Sequence, residues 1–364
     1  MNVFLRMAST VFLVPLGALG FEICTEYNQR TTLQTVRSVA SMAFNLAGPA
    51  LAWSIFFRAS TKTESTNIVA NYAHMGTVFT LIAVILIVAV VVLTRNYMLD
   101  SRNHSGIESP GVSDCFSSLR DTLMDPYARA VFLVLSVASF GVVLVASLQM
   151  YVYVFFMKFS PPQRSVAHGM SMVACAIGAL LAPVLVKWID KKSTVIVSLA
   201  ISLISSIVLI CVFLTGLVPM NLKWAVIGIE LPIAGICFIL FASLYWLGVG
   251  ILTPVAFSMM ADISELNKFY TGYLKDGSYS AMLSFISKAT ASLAMLVSGF
   301  CLSWAGFIVG QENQSSSAVW NIAAITFLSG ASFAGICLVL IRNYSVTKTF
   351  MEQTKADLAK MITR

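Results

Sequence analysis

The sequence predicts an all-α, polytopic membrane protein with about nine transmembrane helices. Of its 364 residues, 58% are apolar and only 11% are charged, and the mean hydropathy is +0.85. A soluble domain carries about 25% charged residues, so this composition excludes a soluble globule, a disordered chain and a secreted disulfide scaffold. The apolar segments fill so much of the chain that no room remains for a separate soluble catalytic domain.

Nine apolar segments are each long enough to cross a membrane. A helix of about 20 apolar residues spans the hydrocarbon core and satisfies its own backbone hydrogen bonds there. The stretch 224–235, interrupted by Glu230 and Pro232, is predicted to be an interfacial lead-in to the seventh span rather than a tenth span. The predicted spans are 3–22, 36–57, 72–94, 130–157, 168–188, 194–216, 236–261, 279–305 and 318–342.

The positive charges predict the orientation. With the C-terminus in the cytoplasm, sixteen of the 23 Lys and Arg residues fall on the cytoplasmic side, six fall outside and one, Lys288, lies within a span. The positive-inside rule therefore predicts a cytoplasmic C-terminus and an external N-terminus, in a multi-pass protein of the cell membrane. The basic residues stand singly between apolar stretches, a pattern that argues against nucleic acid as a partner.

The longest polar stretch, 95–129, separates three spans from six. We therefore predict the remainder of an N-terminal helix bundle (1–94), a cytoplasmic linker (95–129), a six-helix C-terminal bundle (130–342) and a cytoplasmic amphipathic tail (343–364). Apolar residues recur at helical spacing in the second part of the linker and in the tail, which predicts an interfacial helix in each.

The sequence contains no pattern typical of an active site. Its seven cysteines lack CxxC or Cys/His spacing, and its three histidines do not cluster along the chain. A Ser-His-Asp set, a phosphate-binding loop and a dinucleotide fingerprint are missing from any plausible context. We therefore predict neither an enzyme nor a protein that holds a metal or an organic cofactor.

Lys288 lies about ten residues into the eighth predicted span. A lysine in mid-span costs about 2.5–3.5 kcal/mol, so we expect its amine to face an aqueous cavity or a counter-charge. This position favours a role in binding the solute or a coupling ligand. A snorkelling lysine or an interhelical ion pair is the alternative.

The segment after the seventh span carries the most organised group of charges. Asp262 and Glu265 are three residues apart and share a helix face at the cytoplasmic end of that span, and Lys268 follows about one turn later. Asp276 lies near the start of the eighth span, where the helix dipole favours a negative charge. These residues predict a cytoplasmic gate, and a solvated turn with ordinary capping is the alternative.

Three further polar residues are weaker candidates for the solute path. Arg37 opens the second span, and Gln149 and Tyr153 lie about one turn apart in the fourth. Together with Lys288 they are predicted to bind the solute. Satisfied interhelical hydrogen bonds are the alternative for each of them.

Two separated segments carry a more specific pattern. The first is FLVPLGALGFEICTEYNQRTTLQTVRS, and the second is TPVAFSMMADISELNKFYTGYLKDGSYSAMLSFISKATASL. They resemble the fourth helix with its following loop, and the connection between the tenth and eleventh helices, of the glycoside-pentoside-hexuronide:cation symporters. That family is the melibiose permease-like branch of the major facilitator superfamily. The matching positions in the first segment are Val14-Pro15, Glu22, Glu26-Tyr27, Arg30-Thr31 and Arg37.

The resemblance implies a fold of twelve helices in two six-helix halves, of which this chain holds the last nine. It also implies transport of a small polar solute, a sugar, coupled to Na⁺ or H⁺. In the family's pattern Lys288 falls at the sugar and cation site, and Arg37 falls at the start of the fifth helix. Asp262 and Glu265 fall at the cytoplasmic acids, and Arg30 joins the predicted gate.

The chain departs from the family's pattern at positions that the family uses to couple transport to a cation. By this resemblance we expect the chain to lack the first three helices, which supply the family's cation-binding carboxylates, and Met7 stands where melibiose permease has an aspartate shared by sugar and cation. Leu274 replaces the arginine of the elbow. We therefore expect a truncated product of a longer gene or a descendant that no longer transports. Two functions stay open: a transporter that works by alternating access, and a non-transport remnant that binds a partner chain or lipid.

Overall fold

The computed structural model describes residues 2–23, 26–55, 69–104, 120–216, 223–226, 229–271, 275–311 and 313–362. The position of Leu274 and residues 105–119 of the predicted linker lie outside these residues. Within the described part, the secondary structure is helical apart from one short hairpin. The all-helical class and the multi-pass membrane character are therefore confirmed.

Three helices form the N-terminal part of the chain: α1 (Asn2–Ile23), α2 (Tyr27–Ile55) and α3 (Val69–His104). They cover the first three predicted spans. The chain divides into two compact units, of which one comprises Met1–Val39 with Cys115–Arg364 and the other Ala40–Asp114. The second unit holds the end of α2 and the whole of α3. The candidate site described below lies in the first unit.

The C-terminal part begins with α4 (Pro126–Tyr151), which has a capped N-terminus. The Asp125 carboxylate accepts hydrogen bonds from the backbone N–H groups of Tyr127 (2.9 Å) and Ala128 (3.4 Å). Pro126 occupies the first helical position, where its missing N–H costs nothing. After Tyr151 the chain continues as a π-helical turn, Val152–Phe156.

The longest helix, α5 (Pro161–Leu209), consists of two arms joined at Asp190. The backbone of Asp190 has a φ of 66° and a ψ of 165°, which is not helical. A straight helix of these 49 residues would be about 74 Å long, more than twice the ~30 Å hydrocarbon core. The break therefore allows the two arms to form the predicted fifth and sixth spans. A second π-helical turn, Ile210–Leu214, follows.

A short antiparallel hairpin follows the second arm. Its strands are β1 (Lys223–Val226) and β2 (Ile229–Pro232), with Lys223 opposite Pro232. The hairpin occupies most of the stretch predicted as an interfacial lead-in, so it corrects the expectation of a purely helical chain. The next helix, α6, begins directly after it.

Four helices complete the chain: α6 (Ile233–Thr271), α7 (Asp276–Ala305), α8 (Ser316–Ile341) and α9 (Lys348–Ile362). Gly306 follows the last residue of α7 and caps the helix, and its φ of 88° is a conformation that residues with a Cβ rarely adopt. Ser315 caps α8 by accepting a hydrogen bond from the N–H of Ala318 at 3.2 Å. α9 coincides with the amphipathic helix predicted for the tail.

Six of the described helical segments are long and apolar enough to cross a membrane, and one of them covers both arms of α5. α1 contributes a shorter apolar stretch, Met7–Phe21. The total of nine spans and the partial nature of the fold stay predictions. The six segments are Ala73–Arg95, Pro126–Phe156, Gln163–Leu214, Ile233–Tyr270, Asp276–Ala305 and Ser316–Ile341.

α5 and α6 pack backbone to backbone at two glycines. A Cβ added to Gly250 would lie 2.0 Å from the carbonyl oxygen of Cys175, and one added to Gly178 would lie 2.2 Å from that of Leu247. No side chain larger than hydrogen fits at such distances. Small residues of this kind allow close helix packing in membranes.

Replacing Gly250 by Ala is therefore expected to lower the free energy of unfolding by about 1–3 kcal/mol, the usual cost of overpacking. The matched control is Gly335→Ala in α8, where nothing lies within 4 Å of the added Cβ. Denaturant unfolding of both variants in detergent measures the difference. Equal stabilities would contradict the close packing of α5 and α6.

Candidate functional site

A buried cluster of charges joins α2, α5 and α6. Asp262, which is fully buried in the C-terminal part of α6, accepts hydrogen bonds from Nη1 of Arg30 (2.9 Å) and from Nζ of Lys191 (2.6 Å). Glu265 lies 2.8 Å from the same Arg30 nitrogen. The spacing of Asp262 and Glu265 on α6 directs both carboxylates to one helix face, where a single guanidinium reaches both.

Tyr27 and Asp190 extend this cluster to the break in α5. The Tyr27 hydroxyl donates to Oδ1 of Asp190 at 2.5 Å, and Nζ of Lys191 lies 3.6 Å from the centre of the Tyr27 ring. The second contact has the geometry of a cation–π interaction. The start of α2 therefore contacts both residues at the junction of the two arms of α5.

One further contact connects α2 with α6. The hydroxyls of Thr31 and Ser258 are 3.0 Å apart, and both residues are fully buried. Thr31 follows Arg30 directly, and Ser258 precedes Asp262 by one helical turn. The pairing of α2 with α6 therefore extends beyond the ion pairs through a direct contact between two hydroxyls.

The protonation states of the α2 residues suit this arrangement. Burial and then the negative charge of Asp262 raise the pKa of Tyr27, so its phenol stays protonated and donates to Asp190. Burial alone would lower the pKa of Arg30, but the attraction of Asp262 and Glu265 outweighs burial and raises it. Both side chains therefore remain hydrogen-bond donors throughout the physiological pH range.

The other two predicted gate residues lie apart from this cluster. Asp276 is buried at the start of α7 and accepts a hydrogen bond from the Ser264 hydroxyl, which ties the N-terminus of α7 to α6. Lys268 is exposed and has no ion-pair partner among the described residues. Of the predicted gate residues, the structure thus brings together Arg30, Asp262 and Glu265.

Lys288 lies at the interface of α7 with α1. It is half-buried, and its amine donates a hydrogen bond to the hydroxyl of Thr10 in α1. One α7 face makes a second contact with α1, since the Ser280 hydroxyl donates to the carbonyl of Val14 at 2.9 Å. Lys288 lies twelve residues after Asp276 in the same helix, or roughly 18 Å along its axis. Its position is therefore deep, and its partner is a hydroxyl rather than a carboxylate.

The remaining predicted solute residues are distributed differently. Nε2 of Gln149 donates to the Tyr153 hydroxyl at 2.6 Å, and Nε1 of Trp246 donates to Oε1 of Gln149 at 3.0 Å. This closed set lies in the buried interface of α4 and α6, beside a cavity of about 20 Å³, enough for one water but not for a sugar. Arg37 is exposed and has no hydrogen-bond partner within the described part of the chain.

Sequence reasoning missed Lys191, Tyr27 and Asp190 as members of the cluster. Lys191 is fully buried, although the sequence indicates only one more positive charge in a polar connection. The signal available was the run Asp190-Lys191-Lys192 between two apolar spans. The run lies at the break in α5, and Lys191 there reaches the Asp262 carboxylate of the predicted gate.

Comparison with known proteins agrees with this architecture. A family described as MFS/sugar transport protein matches residues 1–348. Among solved structures, a bacterial homologue of the iron transporter ferroportin in its outward-facing state matches with a TM-score of 0.61. It is 16% identical, and the match covers 92% of this chain and 69% of that one, so it supports the fold alone.

No curated protein matches the sequence. The superfamily predicted from the two sequence segments is nevertheless confirmed, because the family match extends over nearly the whole chain. The melibiose permease-like branch stays a prediction. The chain belongs to the MFS/sugar transport protein family, and it is a membrane transporter of the major facilitator superfamily.

Proposed function

We propose that this protein is a secondary transporter that moves a small polar solute, a sugar, by alternating access coupled to Na⁺ or H⁺. The observation that carries the proposal is the buried pairing of Arg30 with Asp262 and Glu265. Arg30 precedes the predicted linker 95–129 and the two acids follow it. The contact therefore joins the two parts of the chain that alternating access requires to separate and rejoin.

The cluster suits a gate that closes the cytoplasmic side. Opening would move the start of α2 away from α6 and would break both ion pairs of Arg30 and the contact of Thr31 with Ser258. Water would then solvate charges that the closed state buries. Desolvation largely offsets the attraction within a buried ion pair, so the net free energy of the contact is small. A gate closed by such pairs can therefore open again.

The proposed solute contact is Lys288. A sugar hydroxyl presents the same acceptor chemistry as the Thr10 hydroxyl that Lys288 contacts here, so a solute could take its place at the amine. We assign Arg37 to the cytoplasmic path because it is exposed at the start of the second predicted span. Gln149 donates to Tyr153 and accepts a hydrogen bond from Trp246 of α6, which favours an interhelical role over solute binding.

The proposal also includes the location. It places the protein in the cell membrane with its C-terminus, and hence the Arg30 cluster, on the cytoplasmic side. This side carries most of the basic residues of the sequence.

Uptake by the full chain reconstituted into liposomes tests this function. Radiolabelled neutral sugars, sugar acids and polyols are supplied under an inward Na⁺ gradient or an inward H⁺ gradient. We expect one class of solute to accumulate and an ionophore that collapses the relevant gradient to abolish the accumulation. If folded protein takes up none of these solutes under either gradient, cation-coupled sugar transport is wrong, and the interaction or lipid-binding role is favoured instead.

A further inference from the structure

We propose that residues 342–351 act as a strap that links docking of the C-terminal helix α9 to closure of the cytoplasmic gate, with Asp190 as the joint. The inference rests on the proposed alternating access, because it assigns a regulatory contact to the same gate. It goes beyond that function because it assigns the C-terminal tail a role in controlling the gate.

The first observation is that one carboxylate receives both the start of α2 and the tail. Oδ1 of Asp190 accepts from the Tyr27 hydroxyl (2.5 Å) and from the backbone N–H of Lys191 (2.7 Å). Oδ2 accepts from the backbone N–H of Lys348, the first residue of α9, at 3.2 Å. Movement of this carboxylate therefore changes both contacts together.

The second observation is the backbone of Asp190. Its φ of 66° with a ψ of 165° lies in a region used almost solely by glycine. A residue with a side chain stays there only when its surroundings hold it, and the three hydrogen bonds to its carboxylate do so. Opening the gate would remove the bond from Tyr27. Asp190 could then relax toward ordinary backbone angles and carry its carboxylate away from Lys348.

The third observation is that the strap itself is docked into the protein. Tyr344 is 1% exposed and Val346 is fully buried. The ring of Phe350 lies 5.9 Å from that of Tyr127 in α4, and Nζ of Lys192 donates to the carbonyl of Arg342 at 2.9 Å. These contacts place the strap over the N-terminus of α4 and the break in α5, next to the gate.

The docked strap also carries a feature that favours release. The Tyr344 hydroxyl is buried and has no hydrogen-bond partner among the described residues. A buried donor without a partner opposes the buried state. Several contacts thus stabilise the docked strap, and the Tyr344 hydroxyl, unpaired among the described residues, destabilises it. This balance suits a segment that docks when the gate closes and undocks when it opens.

A proline at position 348 tests the joint by removing one donor. Lys348→Pro deletes the N–H that Asp190 accepts, while proline is tolerated at the first position of a helix. Lys348→Ala is the matched control, since it removes the same side chain and keeps the N–H. Gate opening is read from Thr31→Cys, which is fully buried in the closed state, by its labelling rate with an impermeant maleimide in inside-out vesicles.

We expect Lys348→Pro to raise the labelling rate of Thr31→Cys by about 3- to 10-fold, as loss of one hydrogen bond of ordinary net strength would. Lys348→Ala should label like the parent. The parent without the added cysteine gives the background from the seven native cysteines. Equal labelling of the Pro and Ala variants overturns the strap.

Arg30→Gln separates this inference from the proposed gate. Because it removes both ion pairs of Arg30, it should raise labelling of Thr31→Cys whether or not the strap exists. Labelling that rises in Arg30→Gln but not in Lys348→Pro overturns the strap alone. Labelling that rises in neither variant overturns the gate, and the strap with it.

Coupling is reciprocal, so the gate should also act on the tail. In Arg30→Gln, trypsin should cleave after Lys348 faster than in the parent. Lys348→Pro, which lacks this lysine, should not give the fragment and so identifies the cleavage site. An unchanged rate of tail cleavage in a variant whose gate is shown by labelling to be open contradicts the coupling.

Discussion

Replacing Asp262 by Asn is expected to lower the free energy of unfolding by about 3–5 kcal/mol, the cost of leaving a buried charge without its partner. The charge concerned is that of Lys191, which is fully buried and whose amine lies 2.6 Å from the Asp262 carboxylate. The charge of Arg30 is not left unpaired, because the Glu265 carboxylate still lies 2.8 Å from its guanidinium. Denaturant unfolding of the detergent-solubilised chain measures the loss.

A double-mutant cycle assigns this loss to the ion pair. Asp262→Asn combined with Lys191→Met removes both buried charges, so the double variant should regain most of the lost stability. Glu265→Gln is the control on the same helix face: its side chain is 18% exposed and Arg30 keeps its contact with Asp262, so we expect a smaller loss than from Asp262→Asn. Additive losses from the two changes at 191 and 262 would refute the coupling.

The sequence predicted one side of this cluster and not the other. Helical spacing alone directs Asp262 and Glu265 to a common face, because residues three apart lie side by side on a helix. Arg30 entered through the family resemblance, and Lys191 did not enter at all. Arg30 and Asp262 are 232 residues apart in the sequence and Lys191 and Asp262 are 71 apart. Local periodicity carries no information about pairs at such separations.

The fold shows the same division between local and long-range information. Apolar length located α4 and the two arms of α5 correctly, because the hydrocarbon core fixes the length of a span. The hairpin at Lys223–Pro232 was missed, since a short apolar run does not distinguish a strand from an interfacial segment. The break at Asp190 lies between two predicted spans, but its positive φ was not predicted, because residues with a side chain rarely adopt this combination of φ and ψ.

Gln149 and Tyr153 illustrate a different limit. Their spacing of four residues predicts a shared helix face and so their mutual hydrogen bond, which the structure contains. Spacing does not say which neighbour that face meets. The partner is Trp246 of α6, whose Nε1 donates a hydrogen bond to the Gln149 oxygen. That oxygen is therefore not free to accept a hydrogen bond from a solute. Whether a polar side chain in a span is available to a solute thus depends on tertiary packing.

Replacing Lys288 by Met is expected to reduce solute uptake at least about 10- to 100-fold, the effect of losing a hydrogen bond from a charged donor. Folding should be preserved, because Met matches the length of the lysine stem and the amine bonds a hydroxyl of Thr10 rather than a buried acid. A lysine in mid-span opposes insertion, so its removal should leave stability unchanged or raise it. Uptake in liposomes and unfolding in detergent measure the two effects separately.

Two variants make this test specific to the amine. Lys187→Met carries the same substitution on an exposed lysine of α5 and should leave uptake unchanged. Thr10→Val removes the hydroxyl that occupies the Lys288 amine, so it should free the amine and leave solute binding intact or strengthened. If Lys288→Met takes up solute as fast as the parent, Lys288 serves only to pair α1 with α7. A lysine in that structural role can be replaced by an uncharged residue without changing solute uptake.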